Sequence, residues 1–158
     1  MSPRTLRRRS AGFTATEILI VLTIAGILAA IAAPNMANMV RVQRLKTSAF
    51  DIFASLTMAR SEAVKRNVAV TLTPPGGANS WNMGWTITDA NGNVLKQQSE
   101  LGAVTVAGPT SVVFSGNGRL GGGVVPQFDL SAPYVGAGSY RCIKVDLSGR
   151  PVSKEGAC

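Results

Sequence analysis

Glu17 carries the sharpest chemical expectation in this sequence. It stands at the head of residues 18–33, an uncharged apolar run interrupted by a single hydroxyl, that of Thr23. A carboxylate at the edge of hydrocarbon is costly unless a cation or hydrogen-bond donors compensate it. A helix amino end supplies such compensation. The readings for Glu17 are therefore docking against a neighbouring chain's amino terminus, capping of its own helix, or snorkelling to lipid headgroups. The other candidate groups form no comparable pattern. Asp89, Glu100, Asp129, Asp146 and Glu155 lie far apart, with no spacing that identifies an acid/base pair or an ion cage. Ser61, Ser80, Ser115 and Ser148 have no histidine to activate them, because the chain has none. That absence also removes the commonest metal ligand. Gly116-Asn117-Gly118 and Gly121-Gly122-Gly123 are turn-like and lack the lysine-hydroxyl pair of a phosphate-binding loop. The sequence reads as a non-enzyme that needs no cofactor or metal.

Cys142 and Cys158 are the only cysteines, so one intramolecular pairing exists. In an exported domain they are expected to form a disulfide, closing a loop worth roughly 3 kcal/mol in the chain-entropy picture. Two thiols do not complete a zinc site. Trp81, Trp85, Tyr134 and Tyr140 could stack on bases while Arg141, Lys144, Arg150 and Lys154 contact phosphates, which makes DNA a candidate partner. The competing reading packs Trp85 and Tyr140 within a sheet and leaves the charges solvated. The formal charge of +8 does not choose between them. Arg4, Arg7, Arg8 and Arg9 crowd the first 12 residues without an acid, and beyond them 12 basic and 8 acidic groups leave +4. Those arginines are better read as cytoplasmic topology signals.

The elements that must position these groups follow from the apolar spacing. The 158 residues predict one domain with an accessory segment. Residues 13–34 are long enough to cross a bilayer as a helix. A secretory signal is an alternative, with Ala30-Ile31-Ala32 as a cleavage site, and so is a plain anchor. Pro34 should kink or loosen the helix near the membrane exit. Beyond it, Leu45, Ala49, Ile52, Leu56, Ala59 and Ala63 form one stripe on an amphipathic continuation over 35–67, with Phe50 and Phe53 beside it. Strands are expected at 68–73, 85–88, 94–97, 104–107, 111–114, 124–130 and 140–147, with turns at 89–93 and at 148–150, the latter leading into 151–153.

The combination of Gly12-Phe13-Thr14, Glu17, the apolar run and Pro34 resembles the leader and first helix of type IV pilins and type II secretion pseudopilins. Within these families the chain looks most like the FimT/FimU/GspH minor-pilin group. The supporting segments are ARSEAVKRN at 59–67, followed by VAVTL, then Phe114-Ser115-Gly116-Asn117-Gly118-Arg119 and Asp146-Leu147-Ser148-Gly149-Arg150. Ala15 departs from the frequent leucine at its position. The resemblance implies an α+β, type IV pilin-like fold: a long N-terminal helix under an antiparallel β-rich head. It divides the chain into a leader (1–12), a membrane and filament-core helix (13–34), the amphipathic continuation (35–67) and the head (68–158).

The same resemblance implies processing. A prepilin peptidase would cleave between Gly12 and Phe13, and Phe13 would be N-methylated. Glu17 would serve intersubunit assembly, and Pro34 would interrupt the helix. Partners would be other minor and major pilins and the inner-membrane assembly platform. The chain would sit in the inner membrane with its head in the periplasm until it enters a pilus or pseudopilus. The implied function is that of a type IV pilus minor pilin promoting assembly by noncovalent packing. The alternatives are an H-type pseudopilin of type II secretion and a DNA-binding competence pilin. The DNA-uptake relatives carry a GRxR element. Here Gly149 and Arg150 match its start, but Val152 stands where the final arginine would be.

Overall fold

A computed structural model describes residues 12–133 and 140–158, with no side-chain description at 33–35. The chain divides into two compact units, residues 1–37 and 38–158. Helix α1 is assigned over Ala15–Arg66 and includes Pro34. In the first unit it exposes apolar side chains on every side, from Ile18 through Ile31. It is long and apolar enough to cross a membrane.

In the second unit the helix has one covered face. Leu45, Ala49, Ile52, Leu56, Ala59 and Ala63 are all buried, as their four- and three-residue steps require. Ser48 and Ser55 are buried too, a burial that apolar spacing alone does not announce. Phe53 packs against the core, whereas Phe50 points to solvent. The helix ends where Asn67 adopts a left-handed conformation at φ 54°.

Among the described residues eight strands follow: β1 (Val70–Thr73), β2 (Trp85–Asp89), β3 (Val94–Gln98), β4 (Thr105–Ala107), β5 (Val112–Phe114), β6 (Gln127–Ser131), β7 (Tyr140–Val145) and β8 (Pro151–Glu155). They form two antiparallel sheets, ordered β3-β2-β1-β5 and β4-β6-β7-β8. The alternation in each strand sends Val70, Leu72, Trp85, Ile87, Val112 and Phe114 from the first sheet into the core. Phe128, Leu130, Ile143 and Val145 enter it from the second.

Three expected strands differ at a boundary by two residues or more, and β1 is the first: it begins at Val70 rather than at 68, because the chain is still leaving α1 through Asn67. The expected strand over 124–130 begins only at Gln127, because Pro126 lacks an N–H to donate to a ladder. The strand expected to reach Leu147 stops at Val145, because the Asp146 carboxylate captures the next turn. After the 148–150 turn the chain forms β8, which the sequence reading did not assign as a strand; pairing with β7 carries it to Glu155, opposite Arg141.

Candidate functional site

Two places in the chain concentrate the residues and segments on which the sequence reading rested. The first is the start of α1. Thr14 caps the helix, and Glu17 lies three residues on, the spacing of a capping box. Glu17 Oε2 accepts from the Thr14 N–H at 2.9 Å and from the Thr14 hydroxyl at 2.8 Å. The Glu17 N–H donates back to Thr14 Oγ1 at 3.3 Å. Within a single chain, then, Glu17 has the local capping role that was one of its readings. Gly12 and Phe13 precede the helix, and Phe13 is fully open to its surroundings.

The second is a junction of three segments distant in sequence. The Arg60 guanidinium donates from Nε to the Gly118 carbonyl at 2.9 Å. Gly118 belongs to the turn closed by Ser115 N–H to Arg119 O at 2.8 Å, with Asn117 Oδ1 accepting from the Arg119 N–H. Against it lies the turn at 146–150, closed by Asp146 N–H to Arg150 O at 3.1 Å. The approach is so close that a Cβ on Gly149 would lie 2.1 Å from the Gly118 oxygen and 3.2 Å from Arg60 Nε. A Cβ on Gly116 would meet the Asn67 backbone at 2.7 Å. The ARSEAVKRN, FSGNGR and DLSGR segments therefore meet at one packing node. Their glycines permit backbone to lie on backbone. Nothing at this node resembles a catalytic constellation. Among the described residues no group of His, Cys, Asp and Glu could hold a metal.

Carboxylates fix the turns. Asp89 at the end of β2 accepts from the Asn91 and Asn93 N–H groups and from the Asn93 amide, with Arg66 3.7 Å away. The Asn93 side-chain bond, followed by the backbone donors and the Arg66 charge, holds its carboxyl below the usual range. Asp146 is held down likewise, first by the Ser148 hydroxyl at 2.6 Å and then by the Arg150 N–H at 3.0 Å. Groups with a depressed folded pKa contribute stability above their unfolded value near 4, and that stability is lost as pH falls through the folded value. The urea midpoint of the head should therefore be flat from pH 7 to about 5 and fall steeply below about 4. Asp89→Asn should lower it at neutral pH and flatten that fall. An unchanged acid limb in the Asn variant would assign it to other carboxylates.

The set assembled for nucleic acid does not stay together. Trp81 and Trp85 are buried in the core, and Trp81 donates its indole N–H to the Pro109 carbonyl at 2.7 Å. Neither is free to stack on a base, which corrects that part of the expectation. They belong inside because β2 presents Trp85 to the core and Trp81 packs edge-on against Phe128 at 4.8 Å. Tyr140 is exposed, and Tyr134 lies outside the described residues. Arg141 shares the inner face of β7 with Ile143 and Val145 and pairs with Glu155 at 2.6 Å. Lys144 and Lys154 lie on the opposite face, while Arg150 projects from the turn.

The disulfide joins Cys142 and Cys158. It carries the end of the sequence across β6 and β7. There the Cys158 N–H reaches Asp129 Oδ1 at 2.6 Å, and Lys144 Nζ reaches the Cys158 carbonyl at 3.4 Å.

Among solved structures, the chain is similar to the type IV minor pilin FimU of Pseudomonas aeruginosa in two crystal forms. The P21 form matches with a TM-score of 0.64 and 22% identity over 73% of this chain and 96% of that one. The P65 form matches with 0.61 and 22% identity over 72% and 98%. The fold is thus the type IV pilin fold of that protein: one long N-terminal helix with antiparallel sheets. No curated protein matches the sequence. The family model for type II transport protein GspH matches residues 48–149, a stretch that contains Arg60, Gly118 and Gly149, and the chain belongs to that family of minor pilins and pseudopilins.

Proposed function

We propose that this chain is a minor pilin that promotes assembly of a type IV pilus by noncovalent subunit packing. The observation that carries the reading is the first unit. Its helix exposes apolar side chains all round, with a carboxylate in its first turn. Such a surface requires either lipid or other helices. Before assembly the helix lies in the inner membrane with the head in the periplasm. Afterwards it packs among the helices of neighbouring pilins, with Pro34 loosening its backbone ladder. A prepilin peptidase removes residues 1–12 between Gly12 and Phe13, and the new Phe13 amine is methylated. The assembly platform then extracts the subunit from the membrane.

The H-type pseudopilin of type II secretion is a second reading, favoured by the description of the matching family. Both readings require the same processing. They diverge in output: deletion should abolish pili under the first and protein export under the second.

The first test is the mature N-terminus in envelope fractions, with and without the peptidase. The expected result is a Phe13 start that depends on the peptidase and stays with membrane or pili. Gly12→Val should leave the full-length mass, because a branched side chain then occupies the scissile position. A soluble product starting near Ala33 would replace the pilin pathway with ordinary secretion.

A further inference from the structure

The outer face of the second sheet departs from the usual pattern of an antiparallel sheet, whose face away from the core is normally polar. Lys144 stands opposite Val152 and Cys142 opposite Lys154, so these four share that face while Ile143 and Val145 enter the core. With Val125 and Leu147 they border a groove of about 760 Å³. Its floor is aliphatic. Val125 is 42% exposed, Leu147 53% and Val152 58%, and the buried Cys142 completes the lining beneath them. Around the floor stand Arg119, Lys144 and Lys154.

The charges there do not balance. Among the described residues, none of those three cations forms an ion pair with an Asp or Glu side chain. One acid shares the lining: Asp146, whose carboxylate is held by the Ser148 hydroxyl and the Arg150 N–H, neutral donors that leave its charge in place, so three cations stand against one anion. The groove thus pairs an uncovered aliphatic floor with an excess of positive charge at its rim.

We infer that this groove docks an extended acidic segment of a neighbouring subunit, whose aliphatic side chains cover Val125, Leu147 and Val152 while its carboxylates meet Arg119, Lys144 and Lys154. Charge complementarity selects an acidic occupant. The floor favours protein over nucleic acid, because its lining among the described residues is branched aliphatic and holds no aromatic ring on which a base could stack, the exposed Tyr140 of the same face lying outside it. Only the identification of the partner as a neighbouring subunit rests on the filament reading.

The test uses the full chain in detergent with its disulfide intact. A fluorescein-labelled heptapeptide of alternating glutamate and leucine is titrated and followed by anisotropy. Three comparisons accompany it: the same peptide with glutamine for glutamate, one with lysine for glutamate, and a single-stranded oligonucleotide. The expected result is saturable binding of the acidic peptide alone. Lys154→Glu and Val152→Ser should each weaken it roughly tenfold, since each removes one of the two recognition elements. Both substitutions lie on an exposed face and should leave the unfolding midpoint in place.

The inference is overturned by any of three results: no acidic-peptide binding up to millimolar concentration, equal binding of the glutamine peptide, or binding unaffected by both substitutions. Oligonucleotide binding lost in Lys154→Glu would reassign the groove to nucleic acid. Failure here beside a peptidase-dependent Phe13 start would remove the groove's role and leave the filament function standing.

Discussion

Glu17→Gln should exclude the subunit from filaments as thoroughly as Glu17→Ala, lowering its share in sheared pili at least tenfold while membrane levels stay constant. The comparison separates the local cap from the proposed intersubunit role of this carboxylate. In the single chain it closes a capping box with Thr14. Glutamine also fits that box, so the glutamine variant retains the cap. Losing a cap costs about 1 kcal/mol, roughly a fivefold effect. The proposed docking asks for the charge itself. Leaving one member of a desolvated ion pair without its partner costs about 3–5 kcal/mol, more than a hundredfold in an equilibrium. If Glu17 docks against the amino end of a neighbouring subunit, glutamine fails with alanine. Near-normal incorporation of the glutamine variant, with only alanine defective, would reduce Glu17 to a local cap. Quantitative immunoblotting of pili against membranes from the same cells gives the ratio.

The largest effect on the head is expected from Gly149→Ala. Gly149 has φ of 82°, a region that costs an alanine about 1–2 kcal/mol. Its Cβ would also stand 2.1 Å from the Gly118 oxygen, a backbone atom that cannot swing aside. Separating the two turns would pull that oxygen away from Arg60 Nε and strand a half-buried guanidinium bond. Together these should destabilise the head by about 3 kcal/mol or more, a fall in midpoint on the order of 10 °C. Gly122→Ala is the control, since its Cβ would meet nothing within 4 Å and its φ lies outside the left-handed region. The buried Trp81 and Trp85 make fluorescence a direct readout of unfolding. Equal midpoints for the two variants would show that the node is looser than its geometry implies.

The node also explains why the head motifs read so indistinctly in the sequence. FSGNGR and DLSGR look like ordinary turn chemistry, and a turn signal does not say which other turn it will touch. Arg60 looks like one more cation on a basic helix face. Sheet order brings all three together: β5 runs into the first turn, β7 into the second, and the helix passes alongside both.

By itself the sequence determined whatever depends on local periodicity and composition. Residues 18–33, a 16-residue stretch without charge, read as an apolar helix long enough with its flanks to cross a bilayer, and the structure places them in α1. The spacing from Leu45 to Ala63 admits one buried face, and the structure buries every residue of it. Alternation placed most strands to within two residues, and two cysteines allowed one pairing, the one observed. The tertiary structure alone decided which face of each strand looks outward, because alternation fixes a period of two but not which phase meets the core. That choice buried Trp85, set Arg141 against Glu155, and left Lys144, Val152 and Lys154 together on an open face, while the short 3-10 helix Trp81–Met83 carries Trp81 into the core. Charge and aromatic counts are sums over a chain. A binding surface depends on which of those groups share a side, and that is settled only when the sheets pair and pack.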